Sequence, residues 1–254
     1  MKLNYKTFGQ GDPLIILHGL FGTLDNWQTF AKHFASHYSV YLVDQRNHGR
    51  SPHTPDMNYP AMAEDLKQFM EANWIYQSHI IGHSMGGKAA MQFALEYPDM
   101  VDKLVVVDIA PKAYTPAHQA IYDALLSVDL DQISERREAD AILKPKIADR
   151  AIRQFLLKNL SRKPGQGYRW KMNLEALHRH YGEILGAISS DDPYEGPTLF
   201  IRGERSDYIT DADRAAIEAL FPNASIETVR AAGHWVHAEQ PGAMQRLISD
   251  FLER

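Results

Sequence analysis

Six short apolar runs, each followed by a stretch of helical spacing, do most to limit the folds open to this chain of 254 residues. They are Pro13 to His18 (PLIILH), Val40 to Asp44 (VYLVD), His79 to Gly82 (HIIG), Lys103 to Ala110 (KLVVVDIA), Pro197 to Gly203 (PTLFIRG) and Ala224 to Val229 (ASIETV). Near-continuous Val, Ile and Leu suit strands covered on both faces, as in a parallel sheet between two helix layers. The stretches between supply those layers: Ala61, Met62, Leu66, Phe69 and Met70 recur at helical spacing. The expected class is α/β, a mostly parallel sheet flanked by helices. From about Lys112 to Asp191 the alternation stops, and only helical pattern and polar turns remain. This part reads as a helical insert over 112–191, between two strands of a core domain made of 1–111 and 192–254.

Composition removes several chemistries. The chain has no Cys, which excludes disulfides, thiolate metal sites and a cysteine nucleophile. Its start, MKLNYKTFGQG, lacks the apolar core of a secretory signal, and no later run approaches the length of a membrane span. A cytoplasmic protein with no membrane span is expected. A net charge of −5 disfavours nucleic acid as the partner of the whole chain.

Ser84 lies where the run ending at Gly82 meets the small-residue helix Met85-Gly86-Gly87-Lys88-Ala89-Ala90-Met91. Gly82-His83-Ser84-Met85-Gly86 fits the Gly-x-Ser-x-Gly elbow, a strained strand-to-helix turn that lifts a serine Oγ above the sheet. A hydroxyl near its ordinary pKa is a poor nucleophile and needs a base held by a third group. In chain order an acid and then a histidine should follow. His234, after a glycine and beyond the last apolar run, is the expected base, and His237 is its weaker competitor. An acyl-transfer oxyanion also needs two fixed N–H donors. Met85, at the helix start, supplies one; the loop His18-Gly19-Leu20-Phe21-Gly22 supplies the other, from Leu20 or alternatively from Phe21.

These motifs resemble the α/β-hydrolase superfamily over nearly the whole chain. The finer likeness is to YbfF-type bacterial esterases and their mitochondrial abhydrolase relatives. It rests on DQRNHGRS at 44–51, MNYPAMAEDL at 57–66, GHSMGGKAA at 82–90, VVVDIAP at 105–111 and GHWVHAE at 233–239. The resemblance implies a serine hydrolase of acyl esters or thioesters that needs no metal or other cofactor, with the insert as its cap. One position departs from the common pattern. Many members carry the acid three residues after the glycine closing the penultimate strand, where this chain has Ser206 and Asp207 comes one residue late. Asp108, at the end of the strand after the elbow, is the preferred acid, and Asp207 the alternative.

The substrate is less legible. Between Arg136 and His180 twelve Lys or Arg stand against four Asp or Glu, a surplus of eight positive charges in a net-negative chain. Such a cap could draw in an anionic acyl-CoA, or could merely carry solvated helix faces. Phe155, Leu156, Tyr168, Trp170 and Tyr181 are candidates to line an acyl pocket, and equally for the core of the cap. Lys88 falls one helical turn after Ser84, where a solvent-facing or salt-bridged role is expected. A small-molecule ester or thioester is the expected partner of a monomer or small homo-oligomer. A carbon–carbon bond hydrolase or acyltransferase is the alternative on such a fold, and a non-enzymatic ligand-binding protein a remote one.

Overall fold

The computed structural model describes residues 1–163, 165 and 167–253. Seven strands form one sheet: β1 (Tyr5–Phe8), β2 (Asp12–Leu17), β3 (Tyr38–Val43), β4 (Ser78–His83), β5 (Val101–Val107), β8 (Thr198–Gly203) and β9 (Ala224–Val229). A separate antiparallel hairpin pairs β6 (Leu160–Arg162) with β7 (Tyr168–Trp170). The sheet order is β1-β3-β2-β4-β5-β8-β9, with β1 antiparallel and every other neighbour parallel. The helices are α1 (Gln28–Phe34), α2 (Tyr59–Ala72), α3 (Met85–Glu96), α4 (Gln119–Leu126), α5 (Arg136–Leu143), α6 (Arg150–Leu157), α7 (Leu174–Arg179), α8 (Tyr181–Leu185), α9 (Arg214–Leu220), α10 (Val236–Glu239) and α11 (Pro241–Leu252). No helix among the described residues is long and apolar enough to cross a membrane.

Alternate residues of each central strand feed opposite layers, as the two-residue period requires. Ile80, Leu104, Val106 and Phe200 join the apolar cluster of α2 and α3. Ile81, Val105, Leu199 and Ile201 join that of α1 and α11. The start of α2 shows how the local sequence sets an element. Asn58 accepts the Ala61 N–H through its side chain and Pro60 occupies the first turn, where its missing N–H costs nothing. Burial of Met62, Leu66, Phe69 and Met70 follows from the helical period.

Two elements escape the expectation drawn from apolar runs. Strand β1 is an edge strand with mostly exposed side chains, so no apolar run announces it. Its register is set by pairing, Tyr5 with Val43 through Phe8 with Val40. The insert is also not wholly helical. The β6–β7 hairpin turns Leu160, Tyr168 and Trp170 inward with only three residues per strand, too few for alternation to be read. The helices α4 to α8 and this hairpin lie in sequence between β5 and β8. Tyr122, Leu156 and Trp170 belong to the same apolar cluster as the sheet face above α2 and α3.

Candidate active site

Ser84 stands on the turn from β4 to α3 with φ 53° and ψ −121°, a backbone that a side-chain-bearing residue adopts only under strain, typically about 1–3 kcal/mol. The flanking glycines have steric reasons. A Cβ on Gly82 would lie 2.3 Å from the Gly86 carbonyl oxygen, and one on Gly86 would lie 2.5 Å from those of Leu17 and His18. Only without those side chains can α3 close onto β2 and β4. The Ser84 N–H reaches the Val107 carbonyl at 3.0 Å and the Asp108 N–H that of Ile201 at 2.8 Å, so both turns are stitched to the next strand.

At the upper ends of β4, β5 and β9 three side chains form one chain of contacts. His234 Nε2 lies 3.1 Å from Ser84 Oγ, and its Nδ1 lies 2.8 Å from Asp108 Oδ2. Asp108 is fully buried, with φ 52°. It also accepts the Gly203 N–H at 2.9 Å and the Ser206 hydroxyl. Ser206, the serine three residues after Gly203, therefore holds the carboxylate that arrives from β5. Asp207 lines the cavity but makes no hydrogen bond to His234. His237 makes no hydrogen bond to Ser84: it is half-buried, stacked on Trp27 at 4.1 Å, and desolvation pulls its pKa down to about 3.

His234 is held from several sides. Tyr208 stacks on the His234 ring at 3.9 Å, and the His234 carbonyl accepts from His83 Nε2 at 2.8 Å. Burial, followed by repulsion from His234 and His237, keeps His83 well below the ordinary histidine pKa and therefore neutral. Glu239 takes the Gly233 N–H at 2.9 Å and so anchors the loop that carries His234. Sequence reasoning missed His83, Tyr208 and the part played by Ser206. Only Ser206 left a signal, as an unexpected serine in the acid's usual place.

Across the serine, the two candidate donors of the β2 loop differ. The Phe21 N–H is engaged by His48 Nε2 at 3.3 Å, whose Nδ1–H is held by the Arg46 carbonyl at 2.9 Å. Burial pulls His48 down to about 3, so it remains the neutral acceptor that this contact requires. The Leu20 and Met85 amides have no acceptor among the described residues. Around the serine opens a cavity of about 650 Å³. Phe155, Leu156 and Tyr181 line it, together with Leu20, Ile121 and Ile184. Tyr168 and Trp170 do not: they are buried where the hairpin packs on the rest of the insert. Among the described residues no cluster of metal-ligating side chains is found.

The family model of the alpha/beta hydrolase fold matches residues 12–241. The chain belongs to the α/β-hydrolase fold family. Among relatives of this α/β-hydrolase is the sn-1-specific diacylglycerol lipase ABHD11 of Danio rerio, 42% identical over all of this chain and 83% of the relative. Esterase YbfF of Escherichia coli is 39% identical, with 99% of each chain covered. A solved structure titled as a marine microorganism esterase superposes with a TM-score of 0.97 at 44% identity, over 98% of this chain and 99% of that one. This α/β-hydrolase thus sits among proteins named as esterases and lipases.

Proposed function

We propose that this carboxylic ester hydrolase is a serine enzyme in which Ser84 is the nucleophile, His234 the base and Asp108 the acid. The observation that carries the reading is the unbroken line from Ser84 Oγ through His234 to the buried Asp108, at 3.1 and 2.8 Å. Asp108 is acceptor-only as a carboxylate, so Nδ1 of His234 carries the proton and Nε2 presents its lone pair to the serine hydroxyl. His234 takes that proton as Oγ attacks the acyl carbon. The carbonyl oxygen becomes an oxyanion facing the Leu20 and Met85 N–H groups, and the α3 N-terminus adds positive potential. When the tetrahedral intermediate collapses, the proton on His234 passes to the departing alkoxide or thiolate. Water repeats the sequence on the acyl-enzyme, releasing the acid and restoring Ser84.

The substrate class is an acyl ester or thioester with a short to medium apolar chain, supported by the predominantly apolar walls of the cavity. We take residues 112–191 as its cap, since α4, α6 and α8 furnish Ile121, Ile152, Phe155 and Ile184 to those walls. The cationic surplus between Arg136 and His180 favours thioesters of an anionic carrier such as CoA. The test is turnover of chromogenic esters from acetyl to palmitoyl, with an acyl-CoA alongside, by the wild type and Ser84→Ala. Turnover that vanishes in the variant is expected. Turnover that survives it would remove Ser84 from the mechanism.

A further inference from the structure

Lys88 is the one lysine that the sequence marks as unusual, and the structure overturns the solvent-facing or salt-bridged role expected of it. Its side chain is 1% exposed, and no carboxylate among the described residues stands within ion-pair distance. A buried ammonium without a counter-ion is costly unless each N–H is matched. Here each is matched by backbone. Nζ donates to the Lys112 carbonyl at 2.8 Å, to that of Leu185 at 3.3 Å and to that of Gly186. The ring of Tyr114 lies 4.8 Å from Nζ and that of Tyr59 5.8 Å, adding two aromatic faces.

The placement of those acceptors carries the inference. Lys112 begins the insert; Leu185 ends its last helix, α8, and Gly186 caps it. The two roots are already zipped to one another, Tyr114 N–H to the Leu185 carbonyl at 2.9 Å and Ile188 N–H to the Pro111 carbonyl at 2.7 Å. Lys88 binds this zipped pair from α3, the helix that starts at the nucleophile. The Tyr59 hydroxyl, given to the Ile184 carbonyl at 2.6 Å, holds the same segment from α2. Ile184 and Leu185 are walls of the cavity. The carbonyls that Lys88 grips are thus on the segment that bounds the substrate space.

We propose that Lys88 is a positioning residue for substrate: its ammonium fixes both roots of the insert to the nucleophile helix and thereby sets the width of the acyl cleft. This rests on the hydrolase reading but assigns Lys88 no part in the chemistry. Removing the tie should leave the Ser84 to His234 line intact while the wall at 184–186 drifts. The signature is a KM effect, because loss of binding shared by ground and transition states raises KM and spares kcat.

The charge on the tie also responds to pH. Burial, followed by the like charge of Lys112, pulls Lys88 down to about 7, against the three carbonyls that favour its protonated form. The groups facing it are Tyr59 from α2 and Lys112 and Tyr114 from the first root, while the second root offers only backbone. Lys112 is itself paired with Asp213 at 2.7 Å.

The experiment compares wild type, Lys88→Met and Lys88→Gln on one neutral ester series from butyryl to decanoyl, with Ser84→Ala as control. Amide hydrogen exchange is followed in parallel. For Lys88→Met we expect KM to rise by roughly tenfold with kcat within about twofold. Exchange should quicken at 112–118 and 181–188 but not in β4 or β5, and Lys88→Gln, which keeps two donors, should fall between. In the wild type KM should rise above pH 7, and in Lys88→Met that rise should be absent. A fall in kcat at unchanged KM, or faster exchange throughout the sheet, would overturn the proposal. Should Lys88→Met not fold, Lys88→Gln decides by the same readings; failure of both to fold would make Lys88 a core-holding group and overturn it equally. Wild-type turnover that survives Ser84→Ala would instead strike the hydrolase reading, independently of Lys88.

Discussion

Asp108 shows most clearly what one residue decides at this site. It carries a positive φ at the end of β5 and uses its carboxylate three times, toward Gly203, Ser206 and His234. Asp108→Asn should lower kcat by about 10⁴-fold, because an amide can offer its N–H to Nδ1 and favour the wrong tautomer. Asp207→Asn should stay within a few-fold, and steady-state kinetics on a short ester separates the two; equal mild losses would refute the three-residue reading. Ser84 and His234 were legible because elbow and glycine-histidine strings are local patterns. The acid was legible only as a preference for Asp108 over Asp207, since choosing between them depends on which strand end lies beside His234, a fact of tertiary packing. The burial of Lys88 was hidden for the same reason: its acceptors are carbonyls 24, 97 and 98 residues away.

At the scale of elements, the elbow and the hairpin make opposite demands. Gly86→Ala would push a methyl against the Leu17 and His18 carbonyls, moving α3 from β2 and spoiling the loop that carries Leu20. A loss of about 1–3 kcal/mol in urea unfolding with a kcat loss of at least about tenfold is expected. Trp170→Ala should cost about 3–5 kcal/mol of stability through the cavity it leaves. Phe155→Ala, at the cavity wall, should instead shift the chain-length optimum toward longer acyl groups with a smaller stability change. Profiles of kcat/KM against chain length, alongside denaturation midpoints, check both. The parallel sheet was readable because strands buried on both faces must be apolar. Strand β1 and the three-residue strands of the hairpin were not, since edge exposure and brevity erase that signal.

For the molecule as a whole, the buried histidines set an acid limit. His48 and His237 are drawn down to about 3 by burial, and His83 is lowered for the same principal reason. Unfolded, these histidines take up protons near pH 6.5, so between about 6.5 and 3 His48 and His237 bind more protons in the unfolded chain than in the folded one. Stability therefore falls as pH drops through that window, by roughly 1 kcal/mol per pH unit for each of His48 and His237. Urea midpoints at pH 7.5 and 5.0 should show the loss, and a midpoint flat with pH would contradict it. If the cationic stretch of the insert steers thioesters, kcat/KM for an acyl-CoA should fall as salt rises while that for a neutral ester of the same acyl group stays level.

The line from serine to histidine to acid joins residues 150 and 126 positions apart, each at the end of a different strand. No fragment can hold it. A chain growing from the ribosome carries Ser84 early, yet has no histidine beside it until the segment beyond β9 has emerged and settled on the sheet. Turnover would then appear only once the segment beyond β9 has settled on the sheet, so that the reaction itself reports the assembly of this end of the fold.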